Sequence, residues 1–343
     1  MTPALLTPSA YILTVLLVGP AAACFSFKSP HESPVLTRVT EPVDHGEGPH
    51  WDPTEQVLYY VDISGQALHR YDPATKTDTS LKLDKPVALV VPVKDERNKF
   101  VVGLGRDLVV LTWDWNSGKH QISTLASVDQ HETGNRFNDG KADAKGRVWA
   151  GTMGPEKPVG NVLPDRGTLY RLDNDPSKPC VADVEIRPAT ISNGLTWSLD
   201  NKILYYIDTP LRRVDAFDFD LENGQISKRR TVFEFGELPG NPDGMTIDSE
   251  GNLWIACWDG YQVIKVDPVS GELLQEVKLP ASRVSSVSWG GPALDTLYVT
   301  TMRLGLTPEE LKTQPHAGAV WQITNLHTRG TLQHNAVIGC NQS

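Results

Sequence analysis

The chain has 343 residues, of which 39% are hydrophobic and 22% charged, and its formal net charge is −10. That composition supplies a core and excludes a disordered polyelectrolyte. The acid excess excludes a nucleic-acid partner, whose phosphates need a basic surface; it suits a protein that holds cations or carries a solvated acidic surface.

In chain order, the first distinct segment is AYILTVLLVGPAAACFSF (10–27), which has no charge. Tyr11 to Val18 form an apolar run, Gly19-Pro20 breaks it, and Ala21-Ala22-Ala23 resembles a signal-peptidase site. The run is shorter than the roughly 20 residues that span a bilayer, and no Lys or Arg precedes it. The expectation is a cleaved secretory leader over 1–23, a linker over 24–34, and an extracellular protein with no stable membrane anchor after cleavage. Without a functional leader the protein stays cytoplasmic.

Beyond residue 34, short β-like runs recur: VLYYVDI (57–63), RVWAGTM (147–153), ILYYIDT (203–209), LWIACWD (253–259) and TLYVTTM (296–302). Each is rich in β-branched and aromatic residues and is bounded by Gly, Asp, Asn or Pro. Partner strands and turns follow several of them, with Asp-Pro and Asn-Gly turn chemistry. The stretch DFDLENG (218–224) looks like a calcium loop. An EF-hand needs Gly at position 6 and Glu at 12, where this chain has Asn223 and Arg229, so it reads as a hairpin turn. Pro308–Lys312 is the one short helix candidate. GLGRDL (103–108) lacks the third glycine of a dinucleotide fingerprint, and neither G-x-S-x-G nor H-E-x-x-H occurs.

The segments that precede the strand runs align without gaps: EGPHWD from Glu47, NDGKAD from Asn138, NGLTWS from Asn193, DGMTID from Asp243 and, more weakly, SSVSWG from Ser285. A sixth start near Ala88 fills the double-length gap. The period of about 40–50 residues is that of propeller blades, one four-stranded sheet each. The reading is an all-β, six-bladed β-propeller spanning 35–343 as a single domain.

Equivalent positions of successive blades surround one central channel. The first aligned position therefore forms a ring containing Glu47, Asn138, Asn193 and Asp243. Any one Asx-Gly pair is an ordinary turn. The aligned set gathers two carboxylates and two amides, hard oxygen donors that suit Ca²⁺, Mg²⁺ or Mn²⁺ rather than zinc or copper. Trp51, Trp149, Trp197, Trp254, Trp289 and Trp321 recur at blade positions and read as inter-blade packing. Asp62 and Asp208 read as turn carboxylates, His50 as a structural or rim residue, and Cys257 as a buried thiol. Cys24 and Cys340 flank the domain and can pair in a secreted protein. A sequon, Asn341-Gln342-Ser343, closes the chain.

The stretches GEGPHWD, NRFNDGKAD, ISNGLTWSLD and NPDGMTIDSEGNLWIACWDG resemble the regucalcin (senescence marker protein) and gluconolactonase family, from about Gly46 to Thr324. GEGPHWD and LTWDW also resemble its luciferin-regenerating branch. The resemblance implies one divalent metal in the channel, Ca²⁺ first, with Zn²⁺, Mn²⁺ or Mg²⁺ as alternatives. It implies Glu47, Asn193 and Asp243 as metal ligands, and Arg136, Asn138 and Glu156 as contacts to a small lactone substrate. The activity implied is hydrolysis of sugar lactones, with Asp243 as general base. The stretch GPEKPVGNVLPDRG (154–167) then forms part of a lid. Two other functions remain open at this point: a calcium-binding regulatory protein, and a luciferin-regenerating-type hydrolase of a non-sugar substrate.

Overall fold

The computed structural model of the chain describes Met1 and residues 33–340. The rest of the expected leader, Cys24 and the sequon fall outside the described residues. Among those described, no helix is long and apolar enough to cross a membrane.

The six repeats fold as six four-stranded antiparallel sheets. Strand β1 (Val35–Arg38) comes first. Blade one is β2 (Gly46–Asp52), β3 (Val57–Asp62), β4 (Ala67–Asp72) and β5 (Thr77–Lys82). Blade two is β6 (Val87–Pro92), β7 (Lys99–Leu104), β8 (Asp107–Trp113) and β9 (His120–Ser127). Blade three is β10 (Arg136–Ala142), β11 (Val148–Met153), β12 (Gly167–Leu172) and β13 (Ala182–Ala189). Blade four is β14 (Ser192–Trp197), β15 (Ile203–Asp208), β16 (Arg213–Asp220) and β17 (Gln225–Glu234). Blade five is β18 (Asn241–Ile247), β19 (Leu253–Trp258), β20 (Gln262–Asp267) and β21 (Glu272–Lys278). Blade six is β22 (Arg283–Gly290), β23 (Thr296–Met302) and β24 (Trp321–Thr324), and β1 completes it as the fourth strand by pairing antiparallel to β24. The six expected starts all fall within the first strand of a blade. The hairpin expected over 218–224 joins β16 to β17. The short helix α1 (Pro308–Thr313) is closed by a capping box between Thr307 and Glu310.

Local chemistry sets the turns. The sixth aligned position accepts backbone N–H bonds where the first strand meets the second. Asp52 accepts from Thr54 and Glu55, Asp143 from Lys145 and Arg147, Ser198 from Lys202 and Ile203, and Asp248 from Glu250 and Asn252. Such Asx-type turns satisfy backbone donors that would otherwise be orphaned. In blades three and five the same carboxylate also takes an indole N–H, from Trp149 at 3.0 Å and from Trp254 at 3.1 Å. The expected turn carboxylates behave alike at the other end. Asp62 accepts from the backbone of Asp44, His45 and Gly65, and Asp208 from Thr190 and Ile191.

The tryptophans bury against neighbouring blades. Trp149 meets Trp197 edge-on with centroids 6.1 Å apart, Trp254 meets Trp289 at 5.4 Å, and Trp51 stacks on Tyr298 at 5.6 Å. Cys257 is a fully buried free thiol. Cys340 pairs with Cys180, 160 positions earlier, and not with Cys24. The tail after β24 explains this correction. It forms isolated bridges to Asp248 through Gly330, to Ala142 through His334 and to Val93 through Ala336. That path carries Cys340 across one end of the channel to the loop between β12 and β13, where Cys180 lies.

Candidate functional site

Each blade's first strand breaks register with the second near its start. The breaks fall between Glu47 and His50, Val87 and Val90, Phe137 and Gly140, Ser192 and Leu195, Pro242 and Met245, and Val284 and Ser286. Bulges of this kind bend a strand and re-aim its side chains. Asn138, Asn193 and Asp243 are unpaired bulge residues, so their side chains turn into the channel. Glu47 is the last paired residue before its bulge, and Gly48, at a φ of +52°, takes the first unpaired place. An ungapped alignment of the repeats does not show that one-residue difference. The ring position carries Ala88 in blade two and Ser285 in blade six. Ser285 is buried and donates to the carbonyl of Gly46, which ties blade six to blade one.

All six expected site residues, Glu47, Arg136, Asn138, Glu156, Asn193 and Asp243, line a single cavity of about 210 Å³. Glu47, Asn138, Asn193 and Asp243 are buried, while Arg136 and Glu156 stand half-buried at the rim. Arg136 Nη1 donates to Asn138 Oδ1 at 2.9 Å and to the carbonyl of Phe137 at 3.0 Å. Asn138 Nδ2 donates to the Ser192 carbonyl at 3.1 Å. Asn193 Nδ2 donates to Thr209 Oγ1 at 3.0 Å, and that bond orients the amide. Its Oδ1 is buried with no hydrogen-bond partner. Glu47 Oε2 accepts from the N–H of Gly48 at 2.9 Å.

The electrostatics are those of an anionic pair out of water. Burial, then the Asp243 and Asp139 charges, raises the Glu47 carboxyl well above its ordinary range. Burial, then Asp139, does the same for Asp243, against the Asn193 amide and Arg136. The Arg136 guanidinium faces Glu156, Glu47 and Asp243, which oppose the effect of its burial. Among the described residues no three His, Cys, Asp or Glu side chains gather as a metal cluster. The candidate donor set is instead two carboxylates and one amide oxygen. An unpartnered buried Asn193 Oδ1 beside two buried carboxylates fits a hard divalent ion.

Asp139 does not line the cavity. Its Oδ1 accepts from Gly140 N at 2.7 Å, and its Oδ2 is buried without a partner. The expected lid, 154–167, runs between β11 and β12 and brings Glu156 and Gly160 to the cavity wall. There the Gly160 N–H donates to Glu156.

Sequence reasoning missed several wall residues. His45, Thr209 and Asn241 add polar surface, while Trp258, Met302 and Met153 add apolar surface. His45 is pushed down to about 3 by burial and by Arg136 and Arg283, so its imidazole is neutral at pH 7. His45 precedes β2, Asn241 opens β18, Thr209 follows β15, and Met153, Trp258 and Met302 end β11, β19 and β23, all outside the aligned segments. The one available signal was position at the same end of the blade as the ring.

Fold and site together define a six-bladed propeller with a buried, carboxylate-bearing cavity at its channel. The chain belongs to the SMP-30/Gluconolactonase/LRE-like family, whose region matches residues 45–303. Regucalcin of Xenopus laevis is 41% identical over 292 residues, covering 85% of this chain and 94% of that protein. Human regucalcin is 42% identical over 290 residues, covering 84% and 94%. A solved structure of luciferin-regenerating enzyme superposes with a TM-score of 0.83 at 39% identity, covering 89% of this chain and 99% of that one.

Proposed function

We propose that the protein is a divalent-metal-dependent hydrolase that opens sugar lactones. The observation that carries this reading is the unpartnered Asn193 Oδ1 beside the buried Glu47 and Asp243, in the same cavity as the Arg136–Asn138 pair. Glu47, Asn193 and Asp243 would hold the ion, with Ca²⁺ favoured by the all-oxygen donor set. A bound divalent cation supplies Lewis acidity at the lactone carbonyl and charge to balance the developing oxyanion.

The chain's own residues do the rest. Asp243 accepts a proton from the attacking water, whose oxygen bonds to the carbonyl carbon. The ring C–O bond breaks, and the proton returns to the departing ring oxygen to give the hydroxy acid. Arg136 presents a fixed fork of donors to ring oxygens, Asn138 aligns that fork, and Glu156 accepts a hydrogen bond from a substrate hydroxyl at the rim. The lid segment and the Trp258 wall limit water around the bound ring. The gluconolactonase in the family's name supports a lactone as substrate.

A second reading has its own observation. Met153, Ile191, Pro210, Trp258 and Met302 form an apolar part of the wall. That surface favours a lactone or ester with an apolar body, in line with the likeness to luciferin-regenerating enzyme. A matrix of metals (Ca²⁺, Zn²⁺, Mn²⁺, Mg²⁺) against gluconolactone and alkyl-substituted lactones tests both. Metal-dependent turnover of gluconolactone supports the first reading, and turnover of alkyl lactones alone supports the second. Metal binding with no turnover would leave a calcium-binding regulatory protein.

A further inference from the structure

A second cavity, of about 340 Å³, opens from the same channel strands. The residues that line it stand in register with the first site. Glu47, Asn138, Asn193 and Asp243 line the first cavity, and the residues three positions on, His50, Lys141, Thr196 and Thr246, line the second. Each of these four strands therefore reaches both levels, roughly 10 Å apart at the rise of an extended chain. The tail segment that ends at Cys340 supplies Gln333 and His334 to the wall of the second cavity only.

The chemistry of this cavity is opposite in sign to the first. In a chain of net charge −10, its lining includes Lys141 and no carboxylate. Lys141 donates to the backbone carbonyl of Met245 rather than to an acidic side chain. An ammonium has three donors, so two remain for a ligand. Thr196 and Thr246 are 7% and 4% exposed, and both hydroxyl-bearing side chains belong to the cavity lining. Trp197 lines the same cavity, and its indole N–H is buried without an acceptor. His50 is held by Asn335 at 3.3 Å, and burial pushes it down to about 3, so it adds no charge.

One cation and three neutral donors in a lining with no carboxylate make a receptor for a small oxyanion. Asp139 and Glu47, outside that lining, act on Lys141 against the effect of its burial and favour its charged form. We propose that this second cavity binds a small oxyanion, a carboxylate or a phosphate, through Lys141, Thr196 and Thr246. The site is separate from lactone hydrolysis and does not require that reading to hold.

Calorimetric titration of the full chain with inorganic phosphate and with acetate, without added divalent metal, tests the assignment. Lys141→Met is expected to weaken binding about tenfold or more, the loss typical of a hydrogen bond to a charged group. The Thr196→Val/Thr246→Val double variant keeps the side-chain volume and is expected to weaken binding about fivefold. Arg136→Gln and Asp243→Asn, at the other level of the channel, are expected to leave it unchanged. Saturable binding of either anion with that pattern supports the site, and the preferred anion identifies the ligand as phosphate-like or carboxylate-like. Absence of binding by both anions would overturn it. So would binding lost in Arg136→Gln and kept in both Lys141→Met and the threonine double variant, which would place the anion at the first cavity.

Discussion

Arg136 and Asn138 stand two residues apart on one strand and are joined by a 2.9 Å bond from the guanidinium Nη1 to the amide Oδ1. Asn138 is itself pinned to blade four through the Ser192 carbonyl. The rim arginine is thus aimed by an amide that bridges two blades. Asn138→Ala is expected to raise KM for a lactone about tenfold while leaving kcat within a few-fold, because binding geometry and not chemistry is lost. Steady-state kinetics on Arg136→Ala, Asn138→Ala and the double variant should show coupling of about 0.5–3 kcal/mol between contacting residues. Strict additivity would mean that the two act separately.

Asp243 combines a proposed ligand role with a proposed base role. Asp243→Ala is expected to cut metal-dependent lactone turnover by about 10²–10⁴, the usual contribution of a positioned acid–base group. Turnover retained near the wild-type rate with Ca²⁺ present would remove Asp243 from the mechanism.

The buried pair also sets a pH dependence. The Glu47 and Asp243 carboxyls are raised well above their ordinary range by burial and by neighbouring carboxylates. The folded, metal-free chain therefore keeps protons that the unfolded chain has released. Its stability falls as pH rises from the ordinary carboxylate range through the raised folded values. A divalent ion bound to the ionised pair acts in the opposite sense. The increase in Tm caused by Ca²⁺ should grow with pH over that window, as scanning calorimetry from acid to neutral pH would show. A Ca²⁺ effect independent of pH would argue against this pair as the site.

The Cys180–Cys340 bond closes a long loop and fixes the tail over one end of the channel. Cys340→Ser is expected to lower stability by about 2–5 kcal/mol, as removal of a native disulfide commonly does. Thermal melts of the oxidised wild type against the variant measure it. The cavity around Glu47 and Asp243 draws on no residue of that tail, so the proposed turnover at low temperature should change little.

Buried Asp143 carries a further test. It takes Arg147 Nε at 2.7 Å, the Trp149 indole N–H and two backbone N–H groups. Asp143→Ala leaves a buried guanidinium with the Leu221 and Glu222 carbonyls but no carboxylate, and is expected to cost about 3–5 kcal/mol. Denaturant unfolding would report the loss.

Much of this organisation was legible in the chain. The six starts could be read because turn acceptors such as Asp143 and Asp248 and packing residues such as Trp149 and Trp254 recur at fixed offsets. The site residues Glu47, Asn193 and Asp243 could be read because a propeller turns equal sequence positions into neighbours. Arg136 and Glu156 came from family likeness, since nothing in the repeat marks them. The partner of Cys340 was not legible, because it depends on a tail that crosses the channel outside any repeat. The bulge beside Glu47 was hidden for another reason. A one-residue change of register leaves the ungapped string intact and alters only the direction of the side chain.

The pairing of β1 with β24 joins the beginning of the described domain to its end. During synthesis, the outer strand of the last blade leaves the ribosome ahead of the other strands and waits for nearly the whole domain before its partner exists. The cavity takes walls from blades on both sides of that seam, Glu47 after it and Met302 before it. Partial products of translation can therefore build individual sheets but no closed chamber, and the complete cavity should arrive in one step, when the ring is latched.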